Sequence, residues 1–196
     1  MRKGLLLVLS LFACVIGIYA QTTVVSNGSS KKLGKIDFKE LESMYQTAIG
    51  EEIDFDIPAP VFYSVFDLDH DGLDEVLIAD AKKEYSALFC FGSGKAEVVE
   101  ISHEFKKMSI LANSAVSAGG SCGTGCAYCN YHKVSGSRVS DHLEQLALFN
   151  METEKVDYSY SKSDVDIDEA KGKAIVESFG KAIVVKHHWR KIPQKQ

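Results

Sequence analysis

The chain has 196 residues and a formal net charge of −5, with 25% charged and 45% hydrophobic residues. That length and balance suit one domain with a real core. The acidity argues against nucleic acid and against an anionic membrane surface as partners.

Residues 1–20 read as an export signal. Arg2 and Lys3 form a short positive start, residues 5–18 are almost continuously apolar, and Ala20 is the small residue that signal peptidase needs. The apolar run is short for a membrane span and no later segment approaches the needed length, so the mature chain is expected to have no transmembrane span. The alternatives are a retained anchor and a lipoprotein cut before Cys14, where bulky Phe12 makes a poor lipobox. Cleavage after Ala20 leaves 176 residues and, with Arg2 and Lys3 gone, moves the charge from −5 to −7. The expected location is exported: periplasmic, cell-surface or secreted. Residues 21–35 read as a flexible tether, rich in Ser, Asn, Gly and Lys, and residues 36–196 as a single globular domain.

A first helix is predicted over 37–49. Asp37 and Glu40 form a capping box, Phe38, Leu41, Tyr45 and Ala48 share one face, and Gly50 supplies the stop. An acidic connection with Pro58 and Pro60 leads to 61–66, an apolar run of the kind a buried central strand shows, and 76–79 resumes it. Strands are also predicted over 85–91, 97–101 and 109–116. After a glycine- and cysteine-rich loop, 141–149 and 155–160 read as a hairpin, with Val156, Tyr158 and Tyr160 alternating with polar residues. Ser163 is the expected cap of a second helix running to Phe179, and 182–189 is the expected closing strand. The fold class is α+β: a mainly antiparallel sheet with an N-terminal helix and a C-terminal helix followed by a closing strand.

Two stretches carry chemistry. Residues 67–75 read Asp-Leu-Asp-His-Asp-Gly-Leu-Asp-Glu. Carboxylates this close repel one another, and a hard divalent cation removes the repulsion. Alternate Asp67, Asp69 and Asp71 followed by Gly72 match the calcium loop, with ligands at positions 1, 3 and 5 and the turn glycine at 6. An EF-hand ends with a bidentate glutamate at position 12; that position is Ile78 here and the flanks are β-like, so this is not an EF-hand. The stretch from Tyr63 to Val76 instead resembles the strand–loop–strand calcium motif of integrin-type FG-GAP blades. It also resembles a Tyr-x3-Asp-x-Asp-x-Asp-Gly-x2-Glu-Leu stretch of uncharacterised bacterial envelope proteins, departing at Val76. The resemblance is limited to this segment. It implies Asp67, Asp69, Asp71 and Glu75 as side-chain Ca2+ ligands and the Leu73 carbonyl as a fifth. The alternative is an acidic turn that binds nothing.

The second stretch runs from Gly119 to His132. Cys122, Cys126 and Cys129 have the spacing of radical-SAM enzymes, a family rejected because its cysteines sit in a much longer cytoplasmic barrel. Three readings remain. Cys122, Cys126, Cys129 and His132 could form a Zn2+ site. Cys90, Cys122, Cys126 and Cys129 could form disulfides, one bridge within the loop and one to Cys90, as suits an oxidising compartment. One cysteine could be a reactive thiol with His132 as base. Ser140, Asp141 and His142 alternate along a strand and make no triad, and no nucleophile elbow appears. The expected function is a secreted, calcium-binding, non-catalytic domain of the bacterial cell envelope that binds a surface protein or glycan. The alternative is a small secreted hydrolase or thiol enzyme built on Cys122, Cys126 or Cys129 with His132.

Overall fold

The computed structural model describes residues 23–24, 36–92, 95–136 and 138–193. The expected signal segment and most of the expected tether lie outside them. In chain order the elements are β1 (Thr23–Val24), α1 (Phe38–Gly50), β2 (Phe62–Phe66), β3 (Glu75–Ala79), β4 (Ser86–Gly92), β5 (Lys95–Ser102) and β6 (Lys106–Leu111). There follow β7 (Ala115–Gly123), β8 (Cys126–Val134), β9 (Val139–Asn150), β10 (Lys155–Lys162), β11 (Val165–Ile167), α2 (Glu169–Phe179), β12 (Val184–Val185) and β13 (Arg190–Lys191). Five strands in the order β13-β2-β3-β4-β5 form one sheet and six in the order β11-β10-β9-β8-β7-β6 form another. Both are antiparallel throughout; β1 pairs in parallel with β12. The fold is α+β with the sheets dominant.

Side-chain alternation sorts the core into three layers of contact. On the outer face of the five-stranded sheet, Leu41, Tyr45 and Ile49 of α1 pack on Val76, Ile78, Ala87, Phe89 and Ile101. The intervening Leu77, Leu88 and Cys90 point the other way and meet Ile110, Val116 and Val134 of the six-stranded sheet. Phe179 of α2 closes the far side against Cys129, Tyr131, Leu143 and Tyr160. The order is helix, sheet, sheet, helix. All of β3 is buried, which is why it reads as a continuous apolar run rather than an alternating one. Ile78, Leu88 and Phe89 are each 0% exposed, and full burial of such a side chain is worth about 1.5–3 kcal/mol.

Helix α1 is capped as its sequence suggests: Asp37 Oδ1 accepts from the Lys39 N–H at 3.0 Å and the Glu40 N–H at 3.4 Å. Four expectations are corrected. Ser163 does not cap the second helix, because residues 160–162 still pair with 165–167 across a tight turn; the cap is Asp168, whose Oδ1 accepts from the Lys171 N–H at 2.8 Å. The strand expected over 109–116 is broken by a turn at Asn113 and Ser114, with φ of 60° and 59°, which separates β6 from β7. The expected glycine-rich loop is the β7–β8 hairpin. Its Gly119 and Gly120 are strand residues packed so closely that an added methyl would run into the carbonyl oxygens of Tyr128 and Phe105. The chain does not end in one long closing strand either. Residues 181–192 bond in turn to both sheets, the Ile183 N–H to the Ile110 carbonyl and the Ile192 N–H to the Val61 carbonyl, each at 2.9 Å.

Candidate metal centre

The β2–β3 connection begins and ends on a paired position, Phe66 opposite Glu75, so the acidic loop is held at both ends by the sheet. Its carboxylates fold it. Asp67 Oδ2 accepts from the Gly72 N–H at 3.1 Å, Asp69 Oδ1 from the Asp71 N–H at 3.1 Å and Asp71 Oδ1 from the Leu73 N–H at 2.7 Å. Gly72 has φ of 85°, a left-handed conformation that a side chain resists. Asp69 Oδ2 accepts from the Gly136 N–H at 2.8 Å, which ties the loop to the β8–β9 turn of the other sheet. Glu75 is fully buried, and its Oε2 accepts from the Leu68 N–H at 2.6 Å. The result is a convergent oxygen cluster: Asp67, Asp69 and Asp71 each place one carboxylate oxygen within 4.8 Å of the others.

Two oxygens here are buried without a hydrogen-bond partner, Asp67 Oδ1 and Glu75 Oε1. Leaving a buried polar atom unpaired costs about 1–3 kcal/mol, and more for a charge. A cation held among the same carboxylates removes that cost. Burial pushes the Glu75 carboxyl up to about 8; the Leu68 hydrogen bond opposes the rise and the charges of Asp69, Asp67 and Asp71 add to it. Burial and the charge of Asp67 raise Asp74 as well.

The sign of that effect is measurable. Between an unfolded-state pKa of 4.5 and about 8, the calcium-free folded protein holds the Glu75 proton and the unfolded chain has lost it. Stability therefore falls as pH rises through this window, by up to about 1.4 kcal/mol per pH unit. Urea denaturation in chelator should show this component in the wild type and not in Glu75→Gln, and calcium should flatten it. Identical pH profiles for the two proteins would show that Glu75 is ionised without penalty.

The cysteines divide differently from expectation. Cys122 and Cys126 are disulfide-bonded across the tip of the β7–β8 hairpin, with Cα atoms 5.1 Å apart. The second bridge, to Cys90, does not form: Cys90 and Cys129 are free and buried, Cys90 between the sheets and Cys129 beneath α2. The Cys3His set does not assemble either. Positions 129 and 132 lie on one strand at odd spacing, so their side chains leave opposite faces. This also denies a Cys129 nucleophile its histidine. Burial pushes the Cys129 thiol up to about 11 and the Cys90 thiol up to about 12, away from the thiolate that reactive cysteines need.

His132 belongs to a buried polar network that sequence reasoning missed. Its Nε2 lies 3.0 Å from Glu100 Oε2. Lys106 Nζ lies 2.8 Å from Glu100 Oε1 and 2.7 Å from Glu52 Oε1, with side-chain exposures of only 3% for Lys106 and 5% for Glu100. Burial by itself would raise Glu100. The His132 hydrogen bond and the Lys106 charge overcome it and hold the carboxyl below its usual range. Burial would likewise lower Lys106, but the Glu100 charge and the bonds to Glu100 and Glu52 raise it. The His132 ring stacks on that of His142, its cross-strand partner, with centroids 4.7 Å apart. The only local signals were a lysine pair entering a strand and a glutamate within an apolar run.

No family model matches this chain, and neither the curated proteins nor the solved structures include a match to it.

Proposed function

We propose that the chain is an exported calcium-binding domain, non-catalytic, whose ion holds the β2–β3 loop and through it the contact between the two sheets, and which binds a surface protein or glycan of the cell envelope. One observation carries the calcium reading: three converging aspartates stand beside a fully buried glutamate, with an orphaned oxygen on Asp67 and another on Glu75. Asp67, Asp69, Asp71 and Glu75 supply the hard oxygen donors that calcium takes in sets of about six to eight, and the Leu73 carbonyl is the proposed fifth protein ligand. Calcium in that position supplies charge neutralisation and cross-linking rather than chemistry. The export reading rests on Arg2, Lys3, the apolar run and Ala20.

Isothermal titration calorimetry should show one calcium per chain, with a Kd on the order of 10⁻⁴ to 10⁻³ M as in extracellular modules. Asp69→Ala and Glu75→Ala should abolish the heat, and Asp74→Ala should keep it. Absence of saturable heat at millimolar calcium would leave the loop as a turn and end this reading.

A further inference from the structure

The Cys122–Cys126 bridge lies at the tip of the β7–β8 hairpin, where Ser121, Cys122, Gly123 and Thr124 are all exposed and Cys126 is half-buried. The strands slip register there. Ser121 lies opposite Ala127 and Gly123 opposite Cys126, so Cys122 is the extra residue of a β-bulge, with no partner in the ladder. Bulges re-aim side chains, and this one presents an exposed cysteine at the end of the hairpin. Cys126, by contrast, is paired on both sides, with Gly123 of β7 and Leu148 of β9.

Other bonds already close the tip. The Ser121 hydroxyl lies 3.1 Å from the Gly123 carbonyl oxygen and 3.2 Å from that of Cys126, and its oxygen accepts from the Gly123 N–H at 3.3 Å. The Phe149 N–H donates to the Gly125 carbonyl at 2.8 Å. The bridge itself encloses only residues 123–125, and a cross-link constrains the unfolded chain least when the loop it closes is short. An exposed disulfide that the fold does not need is of the labile kind that exchanges with thiols. The other two cysteines among the described residues, Cys90 and Cys129, are free and buried. Cys129 also leaves β8 on the face opposite to Cys126. Neither reaches the bridge, so opening it gives a dithiol rather than a rearranged disulfide.

We propose that Cys122–Cys126 is a thiol–disulfide exchange site that takes two electrons from a dithiol. A thiolate of the dithiol attacks Cys122 Sγ, the more exposed sulfur. The Cys122–Cys126 bond breaks, its electron pair leaves on Cys126 Sγ, and Cys126 takes up a proton. The second thiol of the dithiol, deprotonated, then attacks its own sulfur in the mixed disulfide. Cys122 leaves as a thiolate and is protonated, and the dithiol departs as a disulfide. Two electrons and two protons have passed to the hairpin, whose tip stays folded through Ser121 and Gly125. The proposal is independent of the calcium reading.

Dithiothreitol at millimolar concentration, added to the folded full chain and followed by alkylation and peptide mass mapping, should label Cys122 and Cys126 and leave Cys90 and Cys129 unlabelled. Circular dichroism should stay that of the folded chain, and oxidised glutathione should restore the bridge once the dithiol is removed. The two single variants test which sulfur is attacked. With Cys126→Ser, Cys122 should form a mixed disulfide with glutathione at least about tenfold faster than Cys126 does in Cys122→Ser, because access controls the exchange rate; melting curves check that both variants fold. A bridge that opens only in urea would overturn the proposal, as would loss of the folded spectrum on reduction, since either makes the disulfide a staple of the fold. Labelling of Cys90 and Cys129 together with the tip cysteines would also overturn it, as global opening, and so would equal rates in the two variants.

Discussion

Calcium should raise the melting temperature of this protein by about 5–10 °C over its value in chelator. Ligand at about one hundred times its Kd adds roughly 2.7 kcal/mol to folding, and a domain of this size gains about 2–4 °C per kcal/mol. The effect is large here because the loop is not a peripheral appendage. It joins β2 to β3, β3 is buried along its whole length, and Asp69 holds Gly136 of the other sheet. Glu75→Gln gives the sharpest test. It removes a charge from a fully buried position, so it should stabilise the calcium-free protein near pH 8 while eliminating the calcium response. One substitution that moves stability and metal response in opposite directions is the signature of a charge buried to hold a cation. A Glu75→Gln variant that melts below the wild type in chelator and still responds fully to calcium would show that Glu75 serves the sheet alone.

Lys106→Met should cost about 3–5 kcal/mol, the penalty for breaking a buried ion pair and stranding its partner. The stranded partner is Glu100, with 5% of its side chain exposed and with His132 and the Ile101 N–H still bonded to it once the lysine is gone. Total stabilities run about 5–15 kcal/mol, so this single change removes a large share. Glu100→Gln should cost less, because Lys106 keeps Glu52 at 2.7 Å. Combining Lys106→Met with Glu100→Leu should recover most of the loss, since a well-packed apolar pair often matches a buried ionic one. Urea denaturation measures all three variants. A Lys106→Met variant within about 1 kcal/mol of wild type would show that water reaches Glu100 and that the network is not sealed.

The converging carboxylates of the β2–β3 loop were legible from sequence because their information is local. Carboxylates two residues apart, a glycine that must take positive φ and a glutamate shortly after are bonded through a few residues of backbone, and nothing distant is needed to bring them together. The same holds for Asp37 at the start of α1 and for the apolar run of β3. The two orphaned oxygens were not legible, since burial is a property of what packs over the loop. The cysteine stretch misled for a related reason. Glycines and cysteines in a row resemble a loop, yet Gly119 and Gly120 are there because the backbones of β8 and of Phe105 approach them closely. Once β8 is a strand, its pleat sends Cys129 inward beneath α2 and His132 toward β5, and that alternation separates the zinc and thiol constellations.

By itself, the sequence determined which short segments can cap, turn, alternate or gather charge, because those properties depend on neighbours within a few bonds. The tertiary structure alone decided what faces what. Lys106 meets a glutamate 54 residues earlier in the chain, and His132 meets one 32 residues earlier. The cleft between α1, β5, β8 and β9 exists only where a helix end, an edge strand and the His132–His142 pair come together. Such contacts leave no spacing rule in the chain, since the registers of two sheets and the packing between them set the distances rather than the covalent path.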